Sequence, residues 1–576
     1  MKSFFKMVLA IITSIIFLFL LVIIIIAISV GGGPDIKKHS YLIVNYGGEL
    51  LEYTPTDGIE TKILGEDVET LQRILSNLEK AAVDKKIDGV IFRIYGAAGG
   101  YAMMQEIRSA IQTCQDSGKA VYAFAETLSR SSMFLAAACD SVFVPPTAYI
   151  SFTGFASEYM FIKNTLDKLG VKVHLSKIKD YKTAAEIVME EKMTPAAREM
   201  SGWILNEIWE IYMQTVSADR NITVADVVRI MEKGVLSANE AKEMDLVDNI
   251  LYWDQLEARL LQKDDKKLRT VSQSSYAELD PEMFDLGGDK KIAVIHAQGL
   301  IAGHTSGSSP ALGVTMGSQS VINDFREAEQ DEDVAAIVFR VNSGGGDHLT
   351  SDLIAHQVDL TAKVKPVVVS MVNVAASGGY AISYRASKIV ANPATITGSI
   401  GSISGGFNLK GLYDKLGVTK DFVTRGPMAL LFSDYHDPSP QQWKRLEENH
   451  WDGFNEWLRD VAKRRGLTFE KAEKLAMGRV WTGRQAKENG LIDEIGGLNE
   501  AIALAKSLAE IPEDEKVTVE HLPKEKSLPE MIFSGDVSSS GMMNAILYHY
   551  FQHDLPNAIQ GVSGNRLWHV YEGKVN

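Results

Sequence analysis

Ile337-Val338-Phe339-Arg340-Val341 repeats, almost residue for residue, the earlier stretch Val90-Ile91-Phe92-Arg93-Ile94, and the two lie 247 positions apart. Asp167-Lys168-Leu169-Gly170-Val171 recurs unchanged as Asp414 to Val418 at the same separation. Under that offset Gly99 falls opposite Gly346, Pro146 opposite Pro393 and Gly154 opposite Gly401. Further on, Glu240-Ala241-Lys242-Glu243 with Leu246-Val247-Asp248 matches Gln485-Ala486-Lys487-Glu488 with Leu491-Ile492-Asp493. Chance does not hold one spacing over so many features, so the chain is read as a tandem duplication. Within the second copy, Ile292 to His296, Ala336 to Val341 and Val367 to Val372 have the apolar, β-branched composition of buried strands. Ser351 to Lys363 and Ala376 to Ala386 read as helices between them. Strands alternating with helices imply an α/β fold with largely parallel pairing. The expected division is 1–34, a terminal segment and anchor; 40–262, the first copy; 263–289, a charged polar linker; 290–515, the second copy; and 516–576, a tail.

The chain has 576 residues, with 59 Lys+Arg against 74 Asp+Glu and a formal net charge of −15. An apolar share of 45% and a charged share of 23% are those of a globular protein, not of a disordered or collagen-like one. The acidic balance disfavours a general nucleic-acid binder, which carries a basic stripe. Cys114 and Cys139 are the only cysteines, too few for a disulfide framework, and are expected as buried thiols. Met7 to Val30 is apolar apart from Thr13, Ser14 and Ser29. As a helix it would reach about 36 Å, enough to cross a hydrocarbon core of about 30 Å. It is longer than the apolar core of a cleaved secretory signal, so an uncleaved single anchor is expected. Lys2 and Lys6 precede it and no acid does, which leaves the N-terminus cytoplasmic and sends the body across the membrane. In the tail, Met542 to Phe551 reads as an amphipathic helix, and His549 and His553 stand at i, i+4. No Glu follows the first His, so a metalloprotease motif is absent, and no metal or other cofactor is expected.

The strongest local signal for chemistry is Ala375-Ala376-Ser377-Gly378-Gly379-Tyr380, which follows a buried strand and opens a helix. A serine there sits on a sharp turn beside the unpaired N–H groups of a helix start. A second turn, Asn342-Ser343-Gly344-Gly345-Gly346-Asp347, also ends a strand. Two such turns side by side can aim two backbone N–H groups at one developing negative charge. The alternative is that Ser377 only caps a helix and the glycines only make tight turns. The pattern is not Gly-x-Ser-x-Gly, so an α/β-hydrolase elbow is not supported. A nucleophilic serine needs a base. His348 lies just past the glycine turn, but nothing in the sequence places an acid to orient it. A lysine can serve if burial lowers its pKa by several units, and Lys182 in Asp180-Tyr181-Lys182-Thr183-Ala184-Ala185-Glu186 is a candidate. Ser176-x-x-Lys179 matches a β-lactamase pattern whose companion motifs are missing.

These residues resemble the long form of the bacterial signal peptide peptidase A family, also called protease IV. The resemblance covers nearly the whole chain. It is carried by Phe339-Arg340-Val341-Asn342-Ser343, Ala375 to Tyr380, Val390-Ala391-Asn392-Pro393, Thr397-Gly398-Ser399-Ile400-Gly401, Tyr181-Lys182-Thr183-Ala184, Met193 to Glu199 and Val480-Trp481-Thr482-Gly483. It implies a Clp-protease/crotonase-like fold in tandem and a Ser/Lys dyad. Ser377 matches the family's nucleophile, Lys182 its general base, and Ser399 the serine that hydrogen-bonds that lysine. The N–H groups of Gly378 and of Gly345 or Gly346 would hold the oxyanion. The family's glycine turn usually reads Ser-Pro-Gly-Gly; here Ser343-Gly344-Gly345-Gly346 lacks the proline and keeps the donors. The resemblance further implies substrates that are cleaved signal peptides and other apolar segments, a lipid-embedded anchor in the bacterial cytoplasmic membrane with the body on the outer side, and a homotetrameric bowl.

The duplication bears on this reading independently. Ser377 falls opposite Arg130, Ser399 opposite Phe152, and Lys182 opposite Ala429. Each copy thus keeps one part of a dyad and lacks the other, as expected if one active site were assembled from both. Two other readings stay open at this stage: a crotonase-like enzyme acting on an acyl thioester, and an inactive membrane scaffold.

Overall fold

The computed structural model describes residues 36–54, 69–262, 265–309 and 312–524, together with Thr13. The segment Met7 to Val30 and the pair His549 and His553 lie outside the described residues. Among the described residues no helix is long and apolar enough to cross a membrane.

The two copies share one topology. In the first, six parallel strands run in the order Arg269–Ser272, Ser40–Tyr46, Ile87–Ile94, Ala120–Ala125, Ser141–Val144, Asn249–Ile250. In the second the order is Val517–Leu522, Lys290–Gln298, Val334–Ser343, Val367–Ala376, Lys388–Ala391, Glu494–Ile495, again parallel. Helices Leu71–Val83 and Ser318–Gln330 match at the repeat offset, as do Tyr101–Asp116 and His348–Thr361 at their starts. The central strands are apolar at nearly every position because helices cover both faces, the situation of a parallel sheet. Each expected strand of the second copy forms, longer at its ends than the apolar run that marks it.

The boundaries differ from the sequence reading at two places. Part of the expected linker, Arg269–Ser272, is the edge strand of the first sheet, and helix Gln273–Ala277 packs beside it. Part of the expected tail, Val517–Leu522, is the matching edge strand of the second sheet. Both are short and half-exposed, so neither shows the continuous apolar run that marks a central strand.

The copies are joined by exchange. Strand Lys172–Lys177 of the first copy pairs antiparallel with Ile403–Asn408 of the second, and the Ile178 amide donates to the Ser402 carbonyl at 3.0 Å. Helix Tyr101–Asp116 packs on the second copy, so that Val372 and Ala394 belong to the first copy's core. Across this joint Arg340, wholly buried, donates to Glu52 at 2.7 Å and to Glu106 at 2.8 Å.

Candidate active site

Strand Val367–Ala376, interior to the second sheet, delivers Ser377 at its C-terminal end, where the chain turns sharply into the short helix Gly378–Ala381. Ser377 has φ +55°, a conformation that L-residues adopt at a cost of order 1–3 kcal/mol. Its amide donates to the Gly398 carbonyl at 2.9 Å, which ties the turn to the neighbouring strand Ile396–Gly398. Ser399, next along that strand, is also held at positive φ, +49°. The strand register places Ala376 opposite Gly398 and Ser129 opposite Ser151, so Arg130 is the first-copy counterpart of Ser377.

Lys182 comes from the other copy. The exchanged strand Lys172–Lys177 carries it across, and Glu186 fixes the loop behind it by accepting from Lys177 Nζ at 3.1 Å and Thr194 Oγ1 at 2.8 Å. The Lys182 side chain ends 2.8 Å from Ser377 Oγ, 2.9 Å from Ser399 Oγ and 3.0 Å from the Ser399 carbonyl. Only 5% of it is exposed. Burial with no compensating carboxylate lowers its pKa to about 8. A neutral amine has two N–H groups and one lone pair. With both hydrogens donated to Ser399, the lone pair faces the Ser377 hydroxyl.

The glycine turn after Val334–Ser343 lies against the Ser377 turn. Gly345, at φ +105°, approaches so closely that a Cβ there would sit 2.6 Å from the Gly378 nitrogen. Its own amide donates to Ser343 Oγ at 3.1 Å, so Gly345 is not free to donate elsewhere. The amides of Gly346 and Gly378 have no acceptor among the described residues, and a Cβ on Gly378 would lie 3.1 Å from the Gly346 nitrogen. Of the three glycines singled out in the sequence, these two present neighbouring free donors beside Ser377.

The other sequence candidates lie elsewhere. Lys179 donates to Glu473 at 3.2 Å, and Ser176 contacts His450, so the Ser-x-x-Lys pattern is not a pair. His348 starts the helix His348–Thr361 and is not hydrogen-bonded to Ser377. Cys114 and Cys139 are buried free thiols, and burial pushes the Cys114 pKa up to about 12. The sequence reading missed the turn at Met477-Gly478-Arg479. Arg479 offers its carbonyl to the Ser399 amide, Gly478 donates to the Ile400 carbonyl, and a Cβ on Gly478 would lie 2.3 Å from the backbone nitrogen of Lys182. The nearby Val480 to Gly483 motif was the one sign that this segment mattered.

The profile of Peptidase family S49 matches residues 113–268 and 359–512, one stretch in each copy. Protease 4 of Salmonella typhi is 31% identical over 542 residues, covering 89% of this chain and 85% of that one. Serine protease SPPA, chloroplastic, of Arabidopsis thaliana is 34% identical over 477 residues, or 82% of this chain and 70% of that one. Protease 4 of Haemophilus influenzae is 31% identical over 458 residues, with coverages of 76% and 73%. A duplicated α/β chain matched in this way is a serine protease. It belongs to peptidase family S49.

Proposed function

We propose that Ser377 and Lys182 are the nucleophile and general base of a Ser/Lys endopeptidase. The observation that carries this reading is the 2.8 Å approach of a buried lysine to Ser377 Oγ. Neutral Lys182 takes the Ser377 proton as Oγ bonds to the peptide carbonyl carbon. The amides of Gly378 and Gly346 hold the oxyanion, and Ser399 keeps the amine oriented. On collapse the C–N bond breaks and Lys182 returns the proton to the leaving amine. Lys182, neutral again, then takes a proton from water as it attacks the ester carbonyl, and returns it to Ser377 Oγ as the C–O bond breaks and the acid product leaves.

The substrates follow from similarity. An Enterococcus faecium relative named putative signal peptide peptidase SppA is 35% identical over 230 residues, 39% of this chain and 66% of its own. Cleaved signal peptides and other apolar segments fit that name. The apolar run Met7 to Val30 would anchor the chain in the bacterial cytoplasmic membrane, N-terminus inside and body outside. Four copies would form the enclosing bowl of the family.

Ser377→Ala and Lys182→Ala should each abolish cleavage of an apolar peptide, and only the wild type should be labelled at Ser377 by a fluorophosphonate probe. Near-wild-type cleavage by either variant rejects the assignment. Turnover of a coenzyme A ester in place of a peptide would favour acyl-thioester chemistry.

A further inference from the structure

Tyr181, the neighbour of Lys182, is half-buried where Lys182 is buried, and both copies hold its ring. From the first copy, helix Pro195–Arg220 presents Glu199 and Trp203, one turn apart on one face. The Tyr181 hydroxyl donates to Glu199 at 2.7 Å, and the Trp203 ring lies 5.9 Å from the Tyr181 ring. From the second copy come Arg479, just before the strand Val480–Thr482, and Trp481 within it, two apart and so on one face. The Arg479 guanidinium lies 3.8 Å from the centre of the Tyr181 ring, and Trp481 stacks on Trp203 at 5.2 Å with 11° between the planes. Arg479, Tyr181, Trp203 and Trp481 thus form one run, with the first copy's two rings between the second copy's two groups. Val480 joins through its backbone: Trp203 Nε1 donates to its carbonyl at 3.0 Å, and its amide lies 3.4 Å from Met200 Sδ.

The repeat shows that the fold does not demand these groups. Gly398 lies opposite Val480 in the second copy as Ser151 lies opposite Val235 in the first, so Arg479 and Trp481 correspond to Gly234 and Leu236. Helices Pro195–Arg220 and Pro440–Arg464 each open with proline after a capping hydroxyl, which sets Glu199 and Trp203 opposite Lys444 and Glu448. Those two pair with each other at 3.8 Å on an exposed face. Tyr181 falls opposite Met428. The counterparts of the run and of Glu199 therefore include no arginine and no aromatic ring. The cluster stands only at the joint where Lys182 meets Ser377.

We propose that Arg479 is a positioning residue for the general base: its guanidinium clamps the Tyr181 ring, and through it the loop that holds Lys182 against Ser377. The inference rests on the dyad reading above and adds the device that keeps its amine in place. One residue ties both partners of that amine, because the Arg479 carbonyl also accepts from the Ser399 amide at 2.6 Å. A guanidinium on an aromatic face is a strong, planar contact, and its strength grows as water is excluded. The action is geometric, not a direct charge effect. The Lys182 amine bonds only Ser377 and Ser399. The titratable groups around its loop are Arg479, Tyr181 with Glu199, Glu186 with Lys177, Lys179 with Glu473, Asp180, and His450 between Ser176 and Ser402. None of them bonds the amine. What the clamp secures is a closed loop, and a closed loop keeps water from the lysine.

The test is the pH profile of apolar-peptide cleavage by the full chain in detergent, with kcat and KM separated. Arg479→Met removes the guanidinium and leaves the backbone bond to Ser399. It should lower kcat at pH 8 by about tenfold to a hundredfold with KM little changed, the cost of a misplaced catalytic group. The midpoint of the profile should also climb from about 8 by about one unit or more, as water reaches the amine. Tyr181→Ala should do the same. Tyr181→Phe keeps the ring under Arg479 and loses only the Glu199 bond, so it should recover most of kcat and the original midpoint. An unmoved midpoint in Arg479→Met, a loss confined to KM, or Tyr181→Phe no better than Tyr181→Ala each overturns the proposal. Should Arg479→Met fail to fold, the two Tyr181 variants decide by themselves. Cleavage by Lys182→Ala would remove the dyad itself, whereas an unmoved midpoint beside an inactive Lys182→Ala removes the clamp alone.

Discussion

A lysine whose pKa is lowered to about 8 is mostly charged at neutral pH and mostly neutral one or two units above it. The proposed chemistry needs the neutral form. Cleavage should therefore rise as pH passes through about 8 and level off above it, and a flat rate between pH 6 and 9 would contradict the role of Lys182. The same burial has a thermodynamic side. The folded pKa lies below the ordinary 10.5, so between about 8 and 10.5 the unfolded chain binds more protons, and stability rises with pH across that window. At neutral pH the charged lysine costs the fold about 3 kcal/mol. Lys182→Met should accordingly raise the unfolding temperature while abolishing cleavage, and a fall in stability would show that the amine is not held against a desolvation penalty. Sequence alone makes Lys182 one surface-like lysine among many. Its burial is supplied by Gly401 and Gly478 of the other copy, which no local pattern around Lys182 announces. Ser377 is more legible, because a serine between a buried strand and paired glycines stands out, although its positive φ does not show in the sequence.

Turns, more than helices or strands, position these groups. Gly345 combines φ +105° with a contact that leaves no room for a Cβ, so Gly345→Ala should displace the Gly378 amide. The expected result is a large loss of kcat with little change in KM, since the oxyanion exists only in the transition state; loss of one such donor typically costs 10²–10³ in rate. An unchanged kcat would remove the two-amide site from the proposal. Gly478→Ala should push on the Lys182 backbone and move the pH profile itself, which a merely destabilised fold would not do. At this scale the sequence reading did well with central strands such as Val334–Ser343 and poorly with Arg269–Ser272. The edge strand buries Val271 and little else, and its partner Ser40–Tyr46 lies more than two hundred residues away, so pairing rather than composition makes it a strand.

Across the whole molecule, the two copies meet through buried charge as well as apolar surface. Arg340 reaches two carboxylates of the first copy, while its repeat counterpart Arg93 pairs with exposed Glu126. Removing one member of a buried set leaves an uncompensated charge, so Arg340→Ala should lower stability by about 3–5 kcal/mol, and Arg93→Ala by less than about 1. Equal losses in thermal or urea unfolding would show that the joint is not held through this cluster. Nothing in the string Phe339-Arg340-Val341 separates these two fates, because the difference lies in what the other copy brings to each arginine. The duplication also acts as a ratchet. If Ser377, Lys182 and Ser399 act as proposed, a second centre would require Arg130 to become serine and Ala429 to become lysine together, with Phe152 changed as well. On the proposed dyad the first half keeps only the lysine and the second half only the serines, so neither carries a full set by itself, and genetic fusion keeps the two partial sets together.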